Sequence, residues 1–567
     1  MLEDKDLVSI QEVRTKVEKA YAAWQKYRQY SQAQVDAIVE RMAAAGRANA
    51  ERLAAMAVEE TGYGNVKDKI AKNLLNADLL PRKMRGMRTI GMLREIPEER
   101  IVEYAVPVGV VAAILPTTNP TSTAIYKILI SLKAGNAIVL SPHPRAVRCT
   151  CTTADLLYRA ALEAGAPEDI VQCLGYASLD GTNALMRHER TGVILSTGGH
   201  GIVRAAYSSG KPAFGVGPGN VPVMIDRSAD VRDAIAKVIE GKSFDYGTVC
   251  SSEQAIVVED VLRDRVLAEL KAGHAYFCNA DQKQALARLL VTPNWTINAA
   301  CVGQAPTKIA TMAGFTVPPE TSILVVELDG VGKQHPLSME KLSPVLAVYW
   351  VKDFASGMDI CESLLRFGGL GHTCVIYSGD EARIREFAQR MPANRVLVNT
   401  PAPQGSTGIT TNVFPSMTLG CGAAAGNITS DNVGPQHLYN VKRLAYAVRT
   451  PAEAFETQAA VVAQAPLAAE IVDRFLGRRA APPPPPASVA AVTPAPAAVP
   501  AAAAAPAARC AACAAPEPSK PQIVDFVCEE DVRIAIKESR KIYIGSKTIV
   551  TPSARDLAAP GDILVLA

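Results

Sequence analysis

The amino-acid sequence predicts an α/β protein with two successive α/β units, a linker and a short C-terminal helix. Apolar, strand-like runs alternate with helical patterns between Glu95 and Gly241, and the alternation resumes at Gln254. This alternation is typical of parallel sheets, whose ligands bind beyond the carboxyl ends of the strands. After Arg479 proline and alanine dominate, which separates a tail from the folded body.

Composition and charge argue against several classes of function. The 567 residues suffice for two or three domains, and the net charge of +3 offers no basic stripe for nucleic acid. No HxxxH or paired CxxC array suggests a metal site, and no apolar run of about 18 residues suggests a membrane span. The 12 cysteines are scattered, which favours free thiols in a reducing cytoplasm over a disulfide framework.

The first α/β unit follows a helical region. Apolar spacing from Ser9 to about Lys72 predicts two or three packing helices. Beyond them, the pattern predicts four strands (Glu95–Leu115, Asn136–Leu140, Ile170–Leu174 and Gly192–Leu195) and two helices (Thr121–Leu132 and Val147–Ala164). A glycine-rich loop then feeds a short strand over Phe214–Ile225, and a helix, Val231–Gly241, follows. We place the domain boundary near Lys242.

Polar loops follow three of these strands, where ligands of a parallel sheet are expected. Pro116–Pro120 and Ser141–Arg145 follow the first two, and Ser196–Gly201 opens a helix after the fourth. Free backbone N–H groups and the helix dipole make such a helix start a candidate anion site. Because the three-glycine dinucleotide fingerprint is lacking, the turn alone is equally consistent with a simple connection.

Cys250 lies on a polar turn that is placed like that of a nucleophile. Small residues surround it (Gly247, Thr248, Ser251 and Ser252), and the β-prone segment Gln254–Val258 follows. Small neighbours let a substrate approach a thiolate. Cysteine is also among the most buried residue types, so a core role remains the alternative until other residues decide.

The second α/β unit begins at Gln254. Its predicted strands lie near Ile323–Glu327, Val345–Val351, Cys374–Ser378 and Arg395–Val398. His372 is expected on a glycine loop before the third of them. A long loop rich in glycine and asparagine spans Thr407–Gly434, and Leu438–Val448 is predicted as a strand that returns to the first half.

The tail divides into a linker and a short foldable piece. Proline and alanine up to about Pro521 bury too little apolar surface to fold, so this stretch is predicted to be an extended, disordered linker. Beyond it one helical face carries apolar residues, namely Phe526, Val532, Ala535, Ile536 and Tyr543. A short amphipathic helix on a tether is typical of a docking peptide, and a small appended domain is the alternative.

A series of motifs follows one another in a fixed order along the chain. They are Asn119 after a strand, the STGG turn, the GPGN loop, Cys250 in VCSSEQ, Glu340 in MEKLSPVL, and the closing NVFPSMTLGCG and SDNVGPQHLYNVKR segments. This ordered set resembles the aldehyde dehydrogenase superfamily. More narrowly, it resembles the CoA-acylating branch that includes the aldehyde half of the bifunctional alcohol/aldehyde enzymes. The resemblance covers about residues 8 to 455.

The resemblance implies an aldehyde-dehydrogenase-like fold and, with the tail, five parts of the chain. A Rossmann-type NAD-binding domain (1–241) precedes a catalytic thiol domain (242–434), and 95–110 with 435–450 contribute a strand arm for oligomerisation. The other parts are a return segment (435–479), the disordered linker (480–521) and the C-terminal docking peptide (522–567). A homodimer or homotetramer, formed through the arm, is the implied assembly.

The resemblance also implies roles for individual residues. Cys250 corresponds to the thiol nucleophile, Asn119 to the side-chain donor of the oxyanion hole, and Glu340 to the carboxylate that binds the nicotinamide ribose. His143 and Pro144 replace the Lys-Pro pair that hydrolytic members place near the adenosine ribose, which leaves NAD and NADP both open. The other implied cofactor residues are Thr117, Ser141, Ser196, Thr197, Gly198, Gly199, Ile202, Gly217 and Leu419.

The residue types predict the fate of the acyl group. Hydride transfer would leave a thioester on Cys250, and hydrolytic relatives activate water with a glutamate in an ELGGK-type segment. This chain has Gly215–Asn220 there, without a carboxylate. Because a free thiol is partly ionised near neutral pH, it needs less help than water to attack a thioester. We therefore expect acyl transfer to CoA, with His372 either assisting that thiol or serving only structure.

Two other functions are weighed against this one. An acyl-phosphate reductase of similar fold also lacks the base and uses phosphate instead of CoA. A scaffold would use mainly the tethered helix, with a vestigial dehydrogenase body. The intact set of Asn119, Cys250 and Glu340 argues against the scaffold.

The tail carries a second resemblance. CEEDVRIAIKESRKIYIGSKTIVTPSARDL after a Pro/Ala linker resembles the C-terminal extensions of aldehyde dehydrogenases packaged in bacterial microcompartments. It implies docking to shell or core proteins, a place in the lumen of a cytoplasmic microcompartment, and a short volatile substrate. Propionaldehyde and acetaldehyde are both compatible, with propionaldehyde preferred. Because the helical pattern already begins by Ser9, we expect any targeting peptide at the C-terminal end of the chain.

Overall fold

The computed structural model describes residues 4–455, 472, 523–538, 540–558 and 563–566. The chain forms two compact units, which divide after Val461. The predicted linker (480–521) and most of the segment before it, from residue 456 on, lie outside the described residues. No described helix combines the length and the apolar character that crossing a lipid bilayer requires.

Helices form the N-terminal region of the first unit and flank its sheets. Several begin with a side chain that accepts a hydrogen bond from the first turn, as Ser31 and Asp230 do, and this satisfies otherwise unpaired N–H groups. The helices are α1 (Lys5–Tyr27), α2 (Gln32–Ala48), α3 (Ala50–Thr61), α4 (Val66–Leu74), α5 (Leu80–Met84), α6 (Pro120–Lys133), α7 (Val147–Glu163), α8 (Leu179–Arg187), α9 (His200–Tyr207), α10 (Val231–Ser243), α11 (Arg263–Ala272), α12 (Ala280–Leu290), α13 (Pro306–Met312), α14 (Phe354–Gly368), α15 (Glu381–Arg390) and α16 (Ala402–Ser406).

The strands of the first unit form three sheets. They are β1 (Gly91–Ile96), β2 (Ile101–Pro107), β3 (Val110–Ile114), β4 (Ala137–Ser141), β5 (Val171–Cys173), β6 (Thr191–Thr197), β7 (Ala213–Val216), β8 (Val221–Ile225), β9 (Glu253–Glu259), β10 (Ala275–Phe277), β11 (Ile323–Glu327), β12 (Val345–Val351), β13 (Gly371–Tyr377), β14 (Ala393–Val398) and β15 (Tyr439–Ala445).

A five-stranded parallel sheet, in the order β5-β4-β3-β6-β7, forms the centre of the first half. All residues of β3 and of helix α6 are buried, which matches the continuous apolar pattern of both segments. The single strand predicted over Glu95–Leu115 is in fact the end of β1, then β2 and β3. A turn that ends at Arg100 (φ +53°) separates β1 from β2, and Gly109 (φ +112°) separates β2 from β3. The α/β class predicted for this half is confirmed.

A seven-stranded parallel sheet, in the order β10-β11-β12-β9-β8-β13-β14, forms the second half. The boundary that we predicted near Lys242 is wrong. Strand β8 lies between β9 and β13 of this sheet, and helix α10 packs onto it through Val231, Ile235 and Val238. The boundary therefore lies at Gly217–Asn220, between β7 and β8, since hydrogen bonding rather than sequence proximity decides which sheet a strand joins.

An antiparallel sheet of β1, β2 and β15 joins the two regions predicted as an arm. Tyr439 pairs with Pro107 and Ala445 with Ile101, so the return of the chain to its first half is present. Glu103 on the central strand accepts hydrogen bonds from Arg94 and Arg443 on its two neighbours, at 2.7 and 3.0 Å. The role of this sheet in oligomerisation stays a prediction.

The second unit contains a small parallel sheet rather than one amphipathic helix. Strands β16 (Ile523–Val527), β17 (Ile542–Val550) and β18 (Leu564–Leu566) pair in that order, with helices at Glu529–Lys537 and Pro552–Ala558. The helical face that we predicted is therefore wrong at both ends, because Phe526 and Tyr543 lie in strands. Val527, Val532 and Ala535 belong to an apolar core of this unit, which periodicity within a single helix does not reveal.

Candidate active site

One cavity of about 1120 Å³ opens at the carboxyl ends of the strands of the first sheet. The loops after β3, β4, β6 and β7 line one side, and the turn around Cys250 lines another. Predicted residues that line it are Thr117, Asn119, Ser141, His143, Pro144, Thr197, Gly198, Gly199, Ile202, Gly217, Cys250, Glu340 and Leu419. The other two predicted residues, Ser196 and His372, are fully buried and do not line it.

Cys250 and His372 form a contact at the wall of this cavity. His372 Nε2 lies 3.3 Å from Cys250 Sγ, and His372 Nδ1 lies 3.0 Å from Thr373 Oγ1. The prediction of a loop position for His372 is wrong, since it is the second residue of β13. A strand holds the imidazole more rigidly than a loop would.

Burial keeps both groups neutral near pH 7. It raises the pKa of the Cys250 thiol to about 12, with Glu340 and Cys421 adding to the effect. Burial, followed by the positive charge of Arg395, lowers the pKa of His372 to about 3. The resting pair is therefore a thiol beside a neutral imidazole, not a thiolate beside an imidazolium. When His372 Nδ1 carries the ring proton and donates a hydrogen bond to Thr373 Oγ1, Nε2 is free to accept the thiol proton.

Arg395, on β14, completes this chain of contacts. Its Nε donates to Thr373 Oγ1 (3.3 Å), and its two terminal nitrogens donate to the carbonyls of Ser430 and Leu419. Only 5% of Arg395 is exposed. A buried guanidinium held by neutral acceptors keeps its positive charge effective, so it disfavours a proton on His372 and favours a thiolate at Cys250.

Asn119 is the residue just before α6, and its amide is oriented by two elements. Lys72 Nζ on α4 donates to Asn119 Oδ1 at 2.6 Å. Asn119 Nδ2 donates to Thr118 Oγ1 (2.9 Å) and, more weakly, to the Thr248 carbonyl (3.4 Å). Because a lysine ammonium only donates, it fixes which end of the amide is the oxygen. The NH₂ end therefore lies toward the turn that carries Cys250.

A buried charge cluster holds Lys72 in place. Asp245, which precedes the Cys250 turn with φ +48°, pairs with both Lys72 and Lys69, and Lys69 Nζ also donates to the Thr118 carbonyl at 2.9 Å. Burial lowers the pKa of Lys72 to about 8, although Asp245 acts in the opposite direction. Burial acts to raise the pKa of Asp245, but Lys72 and Lys69 outweigh it, so this pKa is lowered.

The glycines of the Gly215–Asn220 segment leave little room for side chains. A Cβ on Gly215 would lie 2.8 Å from Val203 Cγ1 and 3.0 Å from Tyr207, both on α9. A Cβ on Gly219 would lie 2.3 Å from the Cys250 carbonyl oxygen and 3.0 Å from the His372 ring. Gly217 alone among these three faces open space. The segment that lacks a carboxylate is thus also packed, at Gly219, against Cys250.

The other end of the cavity fits a nicotinamide dinucleotide. Thr197 Oγ1 is buried without a hydrogen-bond partner among the described residues, and Gly199 stands at the start of α9 without a side-chain cap. Such unsatisfied donors suit the oxygens of a pyrophosphate. Nearer Cys250, Glu340 Oε1 accepts a hydrogen bond from the Gly219 N–H at 3.0 Å, and burial raises the pKa of this carboxyl to about 8. Within the described ranges, no cluster of three potential ligands for a metal ion occurs.

Comparison with known proteins identifies the family of the chain. Residues 6–283 match the aldehyde dehydrogenase family. The bifunctional aldehyde-alcohol dehydrogenase of Escherichia coli K12 is 44% identical over 444 residues, which are 77% of this chain and 50% of that protein. A succinate-semialdehyde dehydrogenase (acetylating) of Clostridium kluyveri is 36% identical over 77% of this chain and 96% of that protein. The chain belongs to the aldehyde dehydrogenase family.

Solved structures of aldehyde dehydrogenases share the fold. An acetylating aldehyde dehydrogenase of Geobacillus thermoglucosidasius is 50% identical with a TM-score of 0.78, covering 79% of this chain and 99% of that one. More distant is a propionaldehyde dehydrogenase from the fucose utilisation bacterial microcompartment of Clostridium phytofermentans (28%, TM-score 0.70, 77% and 98% covered). A Rhodopseudomonas palustris propionaldehyde dehydrogenase with bound propionyl-CoA is similar at 27% (TM-score 0.70, 76% and 94% covered).

These matches confirm the predicted family, its acylating branch and the aldehyde-dehydrogenase-like fold. The chain spans about half the length of the bifunctional relatives, which carry a further half that it does not match. The roles implied for individual residues of this aldehyde dehydrogenase stay proposals, since the comparisons concern whole chains.

Sequence reasoning missed the residues that support the site from behind. Lys72 and Asp245 are 173 residues apart, and the helix VKDKIAKNL, with its three lysines, looks like an exposed one. The sequence predicts Arg395 only as a strand residue, and it places Thr373 on the loop before Cys374. The lysine at position 72 has no sequence signal of burial, because the carboxylate that compensates its charge comes from another part of the chain.

Proposed function

We propose that this protein oxidises a short aldehyde to its acyl-CoA thioester, with Cys250 as the nucleophile. The observation that carries the proposal is the packing of Gly219 against Cys250 and His372, in the segment where hydrolytic members carry their base. A nucleophile, an oriented amide donor and a cofactor-compatible turn meet at one cavity. The one carboxyl group among the described lining residues is that of Glu340, which accepts a hydrogen bond from the Gly219 N–H and is assigned to the cofactor, so the Gly215–Asn220 segment supplies no base for water. Acyl transfer to a thiol is the reaction that such a set supports.

Cys250 adds to the aldehyde carbonyl as its proton moves to His372 Nε2, 3.3 Å away. The resulting alkoxide accepts hydrogen bonds from Asn119 Nδ2 and the Cys250 backbone N–H, each worth roughly 3 kcal/mol in related oxyanion holes. A bound nicotinamide dinucleotide supplies the hydride acceptor, and Glu340 and the Ser196–Gly199 turn would hold it. The bond between Cys250 Sγ and the acyl carbon is then a thioester.

CoA is the acceptor that the site favours. A thiol ionises far more readily than water. Once His372 has released the Cys250 proton to solvent, its neutral imidazole can receive the proton of the CoA thiol, and the departing Cys250 thiolate then takes that proton back. Thiolate attack breaks the bond between the acyl carbon and Cys250 Sγ and forms the acyl-CoA. The relative with bound propionyl-CoA supports this choice of acceptor.

The substrate proposed is propionaldehyde, with acetaldehyde as the second candidate. The propionaldehyde dehydrogenases support the first, although the more similar relatives are aldehyde-alcohol and acetylating enzymes, which favour the second. NAD is proposed as the cofactor. His143, where hydrolytic members have lysine, is an exposed residue of the cavity, and partial desolvation and Arg145 lower its pKa, so this imidazole offers no positive charge at pH 7 for an additional phosphate.

The acyl-transfer proposal is tested by following NADH formation from propionaldehyde and NAD with and without CoA. Turnover is expected only with CoA, and sustained turnover in its absence would contradict the proposal. Cys250→Ala should abolish turnover while leaving the circular dichroism spectrum unchanged. Cys278→Ala is the matched control, because Cys278 is a partly exposed cysteine that does not line the cavity.

We further propose that the C-terminal unit docks this enzyme inside a bacterial microcompartment. The microcompartment enzyme among the structural neighbours and the separate core of this unit support the proposal. A chain truncated after Arg479 should keep the kinetics of the full chain but fail to co-purify with microcompartments. Unchanged co-purification would contradict the docking role.

A homodimer or homotetramer through the sheet of β1, β2 and β15 is also proposed. Val441 and Leu444 on β15 and Met92 on β1 are exposed apolar side chains of this sheet, and burial against a second copy would remove them from water. Light scattering that gives a monomer mass would contradict the assembly.

A further inference from the structure

Cys151 and Cys173 form a pair of thiols away from Cys250. Their sulfurs are 2.7 Å apart, with Cys151 on α7 and Cys173 at the end of β5. A disulfide bond is about 2.0 Å long, so bond formation needs only a small further approach. Among the ten described cysteines no second pair of thiols is hydrogen bonded.

The pair is accessible to small molecules, unlike most other described cysteines. Both members are partly exposed, whereas Cys149, Cys301, Cys361, Cys374 and Cys421 are buried. Lys16 Nζ donates to the Cys173 carbonyl and pairs with Glu12 at 2.7 Å, which places a positive charge beside the thiols. This environment suits a thiolate better than an apolar core does.

We propose that Cys151 and Cys173 are a site of reversible disulfide formation that reacts with low-molecular-weight disulfides. The Cys151 thiolate attacks one sulfur of the small disulfide, whose S–S bond breaks and releases one small thiol. Cys173 then loses its proton and attacks Cys151 Sγ in the mixed disulfide, which expels the second small thiol. Two protein thiols are oxidised and one small disulfide is reduced to two thiols, so electrons and atoms balance.

The order of attack follows from the surroundings of each sulfur. The hydrogen bond from the Cys173 thiol, together with Lys16, lowers the pKa of Cys151, while burial raises the pKa of Cys173. Thiolate fraction controls the rate of attack on a disulfide. Cys151 is therefore the attacking thiol and Cys173 the one that resolves the mixed disulfide.

The disulfide would join α7 to an edge strand of the first sheet. Among the described strands β5 pairs only with β4, and the chain continues from it to Ser178 and Leu179, which line the cavity. Oxidation would therefore tie a helix to the strand whose continuation forms one wall of the site. The inference itself concerns covalent state and does not depend on the proposed reaction at Cys250.

The full chain is incubated with glutathione disulfide, the remaining thiols are blocked with iodoacetamide, and peptides are identified by mass spectrometry without reduction. A linked pair of peptides, lighter by two hydrogen atoms and carrying no glutathione, is expected to contain Cys151 and Cys173. Dithiothreitol should restore alkylation of both. Alkylation of both cysteines after oxidant treatment, or glutathione retained on either, would overturn the proposal.

Variants separate the two roles. Cys173→Ser should retain one glutathione on Cys151. In Cys151→Ser only Cys173 can attack glutathione disulfide, and this attack should be about tenfold or more slower than that of Cys151, since the thiolate is removed. Cys278→Ser, a partly exposed cysteine outside the pair, should behave like the unaltered chain. If a pair variant does not fold, the peptide result on the unaltered chain still decides.

Discussion

Lys72 Nζ donates to Asn119 Oδ1 across 2.6 Å, and this contact selects which end of the amide lies toward the Cys250 turn. The ammonium is itself fixed by Asp245 and by Thr248 Oγ1 at 2.8 Å, so a buried cluster that connects α4 to the segment before Cys250 orients a donor of the proposed oxyanion hole. The side chain of Asn119 is therefore held in one orientation before any substrate arrives.

Lys72→Met should lower kcat with little change in the KM for aldehyde, because the amide loses the contact that fixes its orientation. Asn119→Ala should lower kcat by about 10²–10³. In the Asn119→Ala background, Lys72→Met should cost much less than it does alone, as residues that act through one another are not additive. Steady-state kinetics on the four proteins measure this coupling.

Lys69→Met is the matched control for Lys72→Met. Lys69 also pairs with Asp245 at 2.9 Å, but it donates to the Thr118 carbonyl instead of the Asn119 side chain. Equal kcat losses in the two variants, or additive losses with Asn119→Ala, would show that Lys72 serves folding rather than orientation.

Alkylation of Cys250 by iodoacetamide should accelerate about tenfold for each pH unit between pH 7 and 9, because only the thiolate reacts. Burial raises the pKa of this thiol to about 12, so its ionised fraction keeps growing over this range. The rate is followed on the peptide that contains Cys250. A plateau that begins near pH 7 would instead indicate a preformed thiolate–imidazolium pair with His372.

Thr373→Val should lower kcat by roughly fivefold to tenfold, the cost of about 1 kcal/mol for a lost hydrogen bond to His372. Thr373→Ser keeps the hydroxyl that contacts both His372 and Arg395, so it should restore most of the rate. The readout is kcat at saturating CoA over a range of pH. Equal activity of the valine and serine variants would remove Thr373 from the proposed mechanism.

Glu340→Gln should change how stability depends on pH. Burial raises the pKa of Glu340 from 4.5 to about 8, so the folded state holds its proton more tightly than the unfolded state. The resulting stabilisation is complete below pH 4.5 and is lost as pH rises through about 8.

As pH rises, the free energy of unfolding of the unaltered protein should therefore fall relative to that of Glu340→Gln, by up to about 1.4 kcal/mol per pH unit. Urea unfolding at pH 5.5, 7 and 8.5 compares the two proteins. Parallel pH profiles would show that Glu340 is ionised in the folded state.

The sequence was informative where one segment carries its own signal. The apolar runs of β3 and β4 predict buried parallel strands, and both are buried throughout. Cys250 and Asn119 were found from motifs at strand ends and turns, and both line one cavity. Each of these features depends on neighbours within a few residues, which is why a linear pattern contains it.

Features that depend on distant contacts were not predictable in this way. Glycines before His372 predict a loop, but Gly371 begins a strand because it pairs with Ala393 of β14. Glycine is needed there, since a Cβ would lie 1.7 Å from the Cys421 carbonyl oxygen. Only the four residues Gly217–Asn220 separate β7 from β8. A connection this short does not reveal in the sequence that the two strands belong to different sheets. The strand positions of Phe526 and Tyr543 depend on pairing between β16 and β17.

The packing of the Gly215–Asn220 segment has a consequence for the lifetime of the acylated enzyme. A side chain at Gly219 would have to displace the Cys250 carbonyl, and one at Gly215 would have to displace Val203 and Tyr207. On the proposed function, Cys250 keeps its acyl group until a thiol arrives, since water finds no base at these positions. The enzyme then stores the last aldehyde it oxidised as a covalent adduct, and the local supply of free CoA sets its rate.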